Sequence, residues 1–378
     1  GIVAKLRHKS IAVHILISPD KFKGSLSALQ VCEALEKGIK KRRPKTVFTA
    51  LPLADGGEGT LEVIQQLHGG SWVTVDTVDP LMRPIQADYL WLADQKTAYI
   101  EMARASGLAL LSTKERNPLK TTTFGTGMLI ADALKRGATH IILTIGGSAT
   151  NDAGMGMAAA LGWTFLDANG AQVEPTGENL VHIASIHPGA SLSCLFTVVT
   201  DVANPLAGTS GAAHVFAAQK GATTTIIKQL DKGLNNITSI FGSIASEPGA
   251  GAAGGLGAGA RYFLNAKIVA GSSWIMDKVH FNRALLKADF IITGEGKIDG
   301  STWGGKVVSE VVKRCDKVFK QTILVSGDFE SSANFPLFLD ENEVFTIASH
   351  SLNTADAMSR AAEILEQIGE EIALKYLN

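Results

Sequence analysis

A chain of 378 residues is too long for one ordinary hydrophobic core and points to two domains, one inserted in the other. Its 35 Lys and Arg against 36 Asp and Glu leave a net charge of −1, which argues against a nucleic-acid or membrane-surface partner. Hydrophobic residues make up 46%, aromatics 6%, and there are 39 glycines, a composition that fits an α/β enzyme with Gly-rich turns.

Gly1 to Ser10 reads as a flexible lead or an expression remnant. The basic start followed by apolar Ile11 to Ile17 is like a signal peptide only on the surface, because "SPDKFKGS" offers no small-residue cleavage site. No apolar run reaches the length of a membrane span. "IAVHILIS" is expected to be the first strand, with a helix from about Leu26 whose Ser27 and Gln30 have capping-box spacing. Ala28, Val31, Cys32, Leu35 and Ile39 then recur at helical period. The same grammar of apolar run, Gly-rich charged loop and amphipathic helix returns in "TVFTALPL–ADGGEG–TLEVIQQL". The middle differs: "VTVDTV", "IQADYLWL" and "TAYIEMA" read as antiparallel strands around "DPLMRP". "ILTIGGSATNDAGMGMAAALGW" then runs from a buried strand through Gly146-Gly147-Ser148 and Asn151-Asp152 into a small-residue helix. A Gly/Ala tract at Glu247 to Ala260 is expected to be a tight loop leading into a close-packed helix. "ADFIITGEGKIDGSTWGGK–VVSEVVKRC" and "TILVSGD" restore the strand-and-helix grammar near the C-terminus.

Strands alternating with helices imply parallel sheets, and parallel sheets bind ligands beyond the carboxyl ends of their strands. The charged loops of this chain lie at those ends. Asp55 and Glu58 flank two glycines, Glu295, Lys297 and Asp299 repeat that chemistry, and Asp201 follows "LFTVVT". Each acid alone is an ordinary surface residue; their repeated placement after strands points to a shared site. The Gly146 loop can hold an anion, since glycine admits close backbone approach and a helix start offers unpaired N–H groups. Asp152 has an equally good reading as a plain helix cap. Lys21, Lys23 and Lys306 supply positive charge, and acids with basic groups at helix starts suit phosphate with Mg²⁺.

Other chemistries find less support. Gly249-x-Gly251-x-x-Gly254 matches a dinucleotide fingerprint but follows no convincing strand, and Gly154-x-Gly156-x-x-Ala159 begins inside a helix. There is no Walker A loop, no protein-kinase signature and no serine elbow around Ser148. Cys32, Cys194 and Cys315 are solitary, which argues against a disulfide framework or zinc site and for a reducing, cytoplasmic setting. His140, His182 and His214 lack metal-ligand spacing and read as structural or surface residues. The residues leave open a kinase or phosphatase for another small hydroxy acid and a non-catalytic small-molecule-binding protein, with a dehydrogenase weaker than either.

Taken together, "SPDKFKGSLSA", "LPLADGGEGT", "IEMARASGL", "ERNPLKTTTFGTG", "IGGSATNDAGMGMAAALG", "DVANPL", "FAAQKGAT", "GAGAAGGLG" and "TGEGKIDGSTWGGK" resemble, in that order, the bacterial glycerate kinase family, in its glycerate 2-kinase class. The resemblance implies ATP-dependent, Mg²⁺-supported phosphorylation of D-glycerate, with 2-phosphoglycerate as the usual product. It implies a parallel-sheet, flavodoxin- or Rossmann-like domain from both chain ends, expected at 11–68 and 288–378, with a second α/β domain inserted at 69–287. Under this reading Asp55 is the candidate base, with Lys23 and Asp201 beside it in catalysis. Lys21, Lys306 and Glu58 bind substrate. Gly146, Gly147, Ser148, Asn151 and Gly294 hold the nucleotide, and Mg²⁺ draws on Asp152, Asp201, Glu295 and Asp299. Glycerate and ATP are then the partners, with a homo-oligomer left open. Lys21, Ala203 and Ser273 depart from the family pattern, which often has Ser, an acid and Glu at those places.

Overall fold

A computed structural model describes residues 12–377, so the expected lead at 1–10 lies outside the described residues. In chain order the strands are β1 (His14–Ile17), β2 (Val47–Ala50), β3 (Ser71–Val78), β4 (Pro84–Leu92), β5 (Thr97–Glu101), β6 (His140–Thr144), β7 (Thr164–Leu166), β8 (Ser185–His187), β9 (Leu195–Val199), β10 (Lys267–Val269), β11 (Phe290–Ile298), β12 (Gln321–Phe329) and β13 (Phe345–Thr346). The chain divides into two compact units. The first comprises the segment up to Asp55 and that from Ile275 onward, and the second is Gly56–Trp274. Both crossings differ from the expected bounds of 68/69 and 287/288. Helix Thr60–His68 packs on β4 and β5 of the second unit, because Glu101 at the end of β5 accepts the Leu61 N–H at 3.2 Å. Helix Phe281–Lys287 packs on β1 of the first.

The first unit holds a five-stranded sheet in the order β13-β12-β11-β1-β2, with every neighbour parallel. Numbered along the chain within this unit, the order is 2-1-3-4-5, the flavodoxin-like arrangement. Its direction of winding reverses between β1 and β11, and that reversal opens a crevice at the strands' carboxyl ends. The helix expected after β1 runs Ala28–Arg42, and its capping box is formed as the sequence specified: Ser27 Oγ accepts from Gln30 N at 3.2 Å and Gln30 Oε1 from Ser27 N at 2.9 Å. Its apolar face joins Ile15, Ile17, Ile292, Ile323 and Val325 in the core. The C-terminal helix Ala361–Tyr376 lies directly against it. Gly38 permits the contact, since a Cβ there would stand 1.9 Å from the Glu366 carbonyl oxygen.

The second unit holds a six-stranded sheet, β10-β9-β6-β5-β4-β3. As expected, β3, β4 and β5 are antiparallel neighbours, but β5 also pairs in parallel with β6, and β9 and β10 continue the parallel series. Tyr89, Ile100, Leu129, Ile141, Leu143, Phe165 and Val198 fill its core. The Gly/Ala tract becomes helix Ala252–Leu264, entered through left-handed backbone at Ala253, Gly254 and Gly255. Its glycines answer to packing. A Cβ on Gly254 would sit 1.9 Å from the Thr150 carbonyl oxygen, and one on Gly251 2.1 Å from that of Pro205. The glycines of the fingerprint match thus make close packing contacts, Gly254 on the Thr150 loop and Gly251 on Asn204 and Pro205.

Candidate functional site

In the first unit, three acids gather at the crevice between β1 and β11 and on its flank. Asp20 follows β1, Asp55 follows β2, and Glu295 lies within β11. Asp20 N donates to the Gly294 carbonyl at 2.9 Å, which ties the β1 loop to β11. Asp20 is pushed up to about 8, first by burial and then by the charge of Asp55, with Glu295 adding to the effect. A hydrogen bond from Lys21 N to Asp20 Oδ1 at 2.7 Å and the Lys21 charge offset this only in part. Glu295 is also raised, chiefly by burial and further by Asp299 and Asp55. The Thr302 hydroxyl, which donates to Glu295 Oε1 at 2.6 Å, and the Lys306 charge act against that rise. Asp20 is not among the residues expected from the sequence. Its signal is present in "SPDK", an acid directly after an apolar strand, the same pattern that singles out Asp55.

Other expected residues of this unit have local explanations. Asp299 takes Ser301 N at 2.8 Å and the Ser301 hydroxyl at 2.7 Å on one oxygen, and these bonds hold it below the usual carboxylate range. Lys306 precedes helix Val307–Asp316, is exposed, and reaches Ser301 Oγ at 3.4 Å. Gly294, expected to hold the nucleotide, packs closely on β12: a Cβ there would stand 1.7 Å from the Val325 carbonyl oxygen. Lys23 is exposed and Lys21 half-buried.

In the second unit, the loop after β6 is pinned on both sides. Leu108 N donates to the Gly147 carbonyl and Ala149 N to the Ser106 carbonyl, each at 2.9 Å. Gly146 lies so close to Gly57 that a Cβ would come within 2.8 Å of its Cα, and Gly147 is left-handed at φ 77°. Beneath the loop sits Lys220, 2% exposed, whose Nζ donates to Ser148 Oγ at 2.8 Å and to the Thr150 carbonyl at 2.7 Å. Burial pulls Lys220 down to about 7, against the opposing attraction of Asp152. Lys220 stands in "FAAQKGAT", and nothing in its sequence context announces burial. Asn151 is fully buried, and neither atom of its amide finds a partner among the described residues; the same holds for Thr150 Oγ1. Buried polar atoms left unpaired mark where a ligand or water completes the bonding.

Asp152, expected as a metal ligand, is held by hydrogen bonds within the second unit. Its Oδ2 accepts from Thr123 N at 2.7 Å, Thr123 Oγ1 at 2.8 Å and Gly156 N at 3.2 Å, and its Oδ1 from Gly154 N at 3.2 Å. The carboxylate is fully buried, with three of these bonds on Oδ2 and one on Oδ1, and it ties the start of helix Met155–Ala160 to the Thr123 loop. Asp201, after β9, accepts from Ser272 N at 3.1 Å and 3.2 Å and from the Ser272 hydroxyl, at the start of helix Gly271–Lys278. Glu58 is exposed in the turn before helix Thr60–His68. The four expected metal ligands thus divide, Asp152 and Asp201 in the second unit and Glu295 and Asp299 in the first. Among the described residues no three His, Cys, Asp or Glu side chains gather closely enough to hold a metal ion by themselves. His140 bonds Thr197 Oγ1 at 2.9 Å and His214 lies 3.6 Å from Asp231. No helix among the described residues is long and apolar enough to cross a membrane.

The profile of the glycerate kinase family matches residues 15–377. A glycerate kinase of Halalkalibacterium halodurans is 40% identical over 369 residues, covering 95% of this chain and 97% of that protein. The glycerate 2-kinase of Escherichia coli is 38% identical over 362 residues, covering 92% and 93%. A crystal structure assigned to glycerate kinase 2 of Salmonella typhimurium LT2 superposes with a TM-score of 0.80 at 38% identity, over 96% of this chain and 98% of that one.

Proposed function

The chain belongs to the glycerate kinase family and is a kinase, and we propose that it transfers the γ-phosphoryl group of ATP to the C2 hydroxyl of D-glycerate, with Mg²⁺. The observation that carries the reading is the crowding of Asp20, Asp55 and Glu295, which repel one another at the carboxyl ends of a flavodoxin-like sheet.

These residues fit Mg²⁺. The ion usually takes one or two carboxylates and completes its shell with water and phosphate oxygens, so a dedicated cage is not needed. Asp20 stands near 8, first through burial and then through the charges of Asp55 and Glu295, and a divalent cation would offset that negative charge. Asp20 and Glu295 would hold the ion, which when bound neutralises phosphate charge. Asp55 accepts or orients the glycerate hydroxyl proton. Lys23 and Lys306 supply positive charge for phosphate or carboxylate oxygens in the same unit. In the second unit, the Gly146–Gly147–Ser148 loop, braced by Lys220 and bordered by the unpaired Asn151 amide, is built to cradle an anionic group.

The test is a panel of small hydroxy acids with ATP and Mg²⁺, with the ester position assigned by ³¹P NMR. D-Glycerate is expected to be the preferred acceptor, giving one ADP per C2 ester. Preference for a different acid rejects the substrate, and an ester at C3 rejects the position alone.

A further inference from the structure

A cavity of about 360 Å³ lies in the first unit, beyond the carboxyl ends of β1, β11, β12 and β13. Phe22, Leu352, Ala357 and Met358 give it apolar walls, and Lys23 and Asp328 stand on its lining as opposite charges. None of the roles assigned above uses it except through Lys23. It belongs in the size class of small-molecule sites, roughly 300–1,000 Å³, and is roomier than a three-carbon acid requires. A second cavity of about 340 Å³ is lined by Gln321, Thr322 and Ile323, at the amino end of β12, where parallel sheets do not place their sites.

The rim of the first cavity is unusual. Leu352 is 89% exposed and Met358 45% exposed, two large apolar side chains left to water at one mouth. Single exposed apolar residues need no account, but a pair at the edge of a pocket does. Both are held in place. Leu352 N donates to Asp356 Oδ2 at 3.0 Å, and Asn353 caps helix Thr354–Ser359 by accepting from Asp356 N at 3.0 Å. On the other side, Gly24 turns at φ 76° directly under Met358, where a Cβ would meet the Met358 methyl at 3.3 Å. Gly296 lies close to Lys23, with room for a Cβ only at 3.1 Å from its backbone nitrogen.

The chemistry of this cavity is that of a flat, largely apolar ring with a hydroxylated and an anionic end. The apolar walls suit the faces of a base. Asp328, at the end of β12, is an acceptor for ribose hydroxyls, the use that doubly wound sheets make of a carboxylate beyond a strand. Lys23 offers charge to a phosphate. The cavity also shares its loops with the acid group: Lys23 is three residues beyond Asp20, and Gly296 follows Glu295. We propose that this cavity binds the base and ribose of the adenine nucleotide, with its phosphates leading toward Lys23 and the acids at the β1–β11 crevice. The proposal rests on the reading that ATP is the phosphoryl donor.

Two measurements test it on the full chain. Photolabelling with 8-azido-ATP, followed by peptide mapping, is expected to tag the 347–358 segment, with protection by ADP. Leu352→Asp and Ala357→Phe, one placing charge on the exposed rim and one filling the cavity, are each expected to raise KM for ATP and Kd for ADP by about tenfold or more. The kcat at saturating ATP and the KM for glycerate should stay within about twofold, and thermal unfolding confirms that each variant is folded. Unchanged nucleotide affinity in both folded variants, or labelling confined elsewhere, overturns the proposal even if glycerate is phosphorylated. If glycerate is not the acceptor but ADP binding still weakens in both variants, the cavity assignment stands and the substrate assignment fails. Absence of any ADP or ATP binding overturns the cavity assignment.

Discussion

Asp20 and Asp152 both follow a strand that pairs in parallel with its two neighbours, yet their surroundings are opposite. Asp20 has one backbone donor and two acidic neighbours, and stands near 8. Asp152 is more deeply buried but accepts four hydrogen bonds, from Thr123, Gly154 and Gly156. Both are raised, chiefly by burial; the charges of Asp55 and Glu295 add to the rise at Asp20, while the bonds from Thr123, Gly154 and Gly156 offset that of Asp152 only in part. The difference lies in what the fold supplies to offset that cost. An acid whose oxygens are filled by local donors holds loops together, whereas one crowded by other acids is available to a cation, a proton or a substrate hydroxyl.

The largest expected effect is at Asp55, on the crowded side of this contrast. Asp55→Asn keeps the shape but removes charge and basicity, so kcat should fall by about 10²–10⁴-fold, the scale of general-base catalysis, with ATP binding little changed. A folded Asp55→Asn enzyme with near-normal kcat breaks the comparison, because a helix-capping role would survive the change. Loss of Mg-ATP affinity would instead move Asp55 among the metal ligands.

Asp152→Ala probes the satisfied side. It strands three buried backbone donors and the Thr123 hydroxyl, and should cost about 3 kcal/mol of stability in denaturant unfolding. Stability equal to the parent, together with a changed Mg²⁺ requirement, would restore Asp152 to the metal group.

Lys220 sharpens the contrast through pH. Its folded value of about 7 is below the ordinary lysine value of 10.5. Between those values the unfolded chain holds a proton that the folded chain has released, so this residue makes stability rise with pH across that window. One such proton gives a slope of up to about 1.4 kcal/mol per pH unit. Lys220→Met should remove that slope, measured by urea unfolding from pH 6 to 9. An unchanged slope would show that Lys220 keeps its proton in the fold.

The smallest effect is expected at Asp299, whose carboxylate is turned onto Ser301 within its own loop. Asp299→Asn should leave kcat within about threefold. A loss approaching that of Asp55→Asn would place Asp299 with the acids of the crevice.

The elements and their grammar are legible in the chain itself. Strand, charged Gly-rich loop and helix are local patterns, and Ser27 with Gln30 predicts a helix start that forms as written. The acidic loops are legible too, since Asp55, Asp152, Asp201, Glu295 and Asp299 each lie in or shortly after a strand, a pattern that Asp20 shares without being singled out by it. Which partners surround each of those acids follows from tertiary packing alone. Asp152 accepts from Thr123, 29 residues away, and Lys220 reaches Ser148 across 72 residues, spacings that no local pattern encodes. At Gly294 and Gly254 a neighbouring carbonyl stands where a Cβ would be, a close approach that no local pattern announces. Asp20 resembles any acid after a strand until Asp55 and Glu295, from distant parts of the chain, are brought beside it. One cause is common to all of them. A polar group's chemistry is set by its desolvation and by the partners that offset it, and both are properties of packing between segments far apart in the chain.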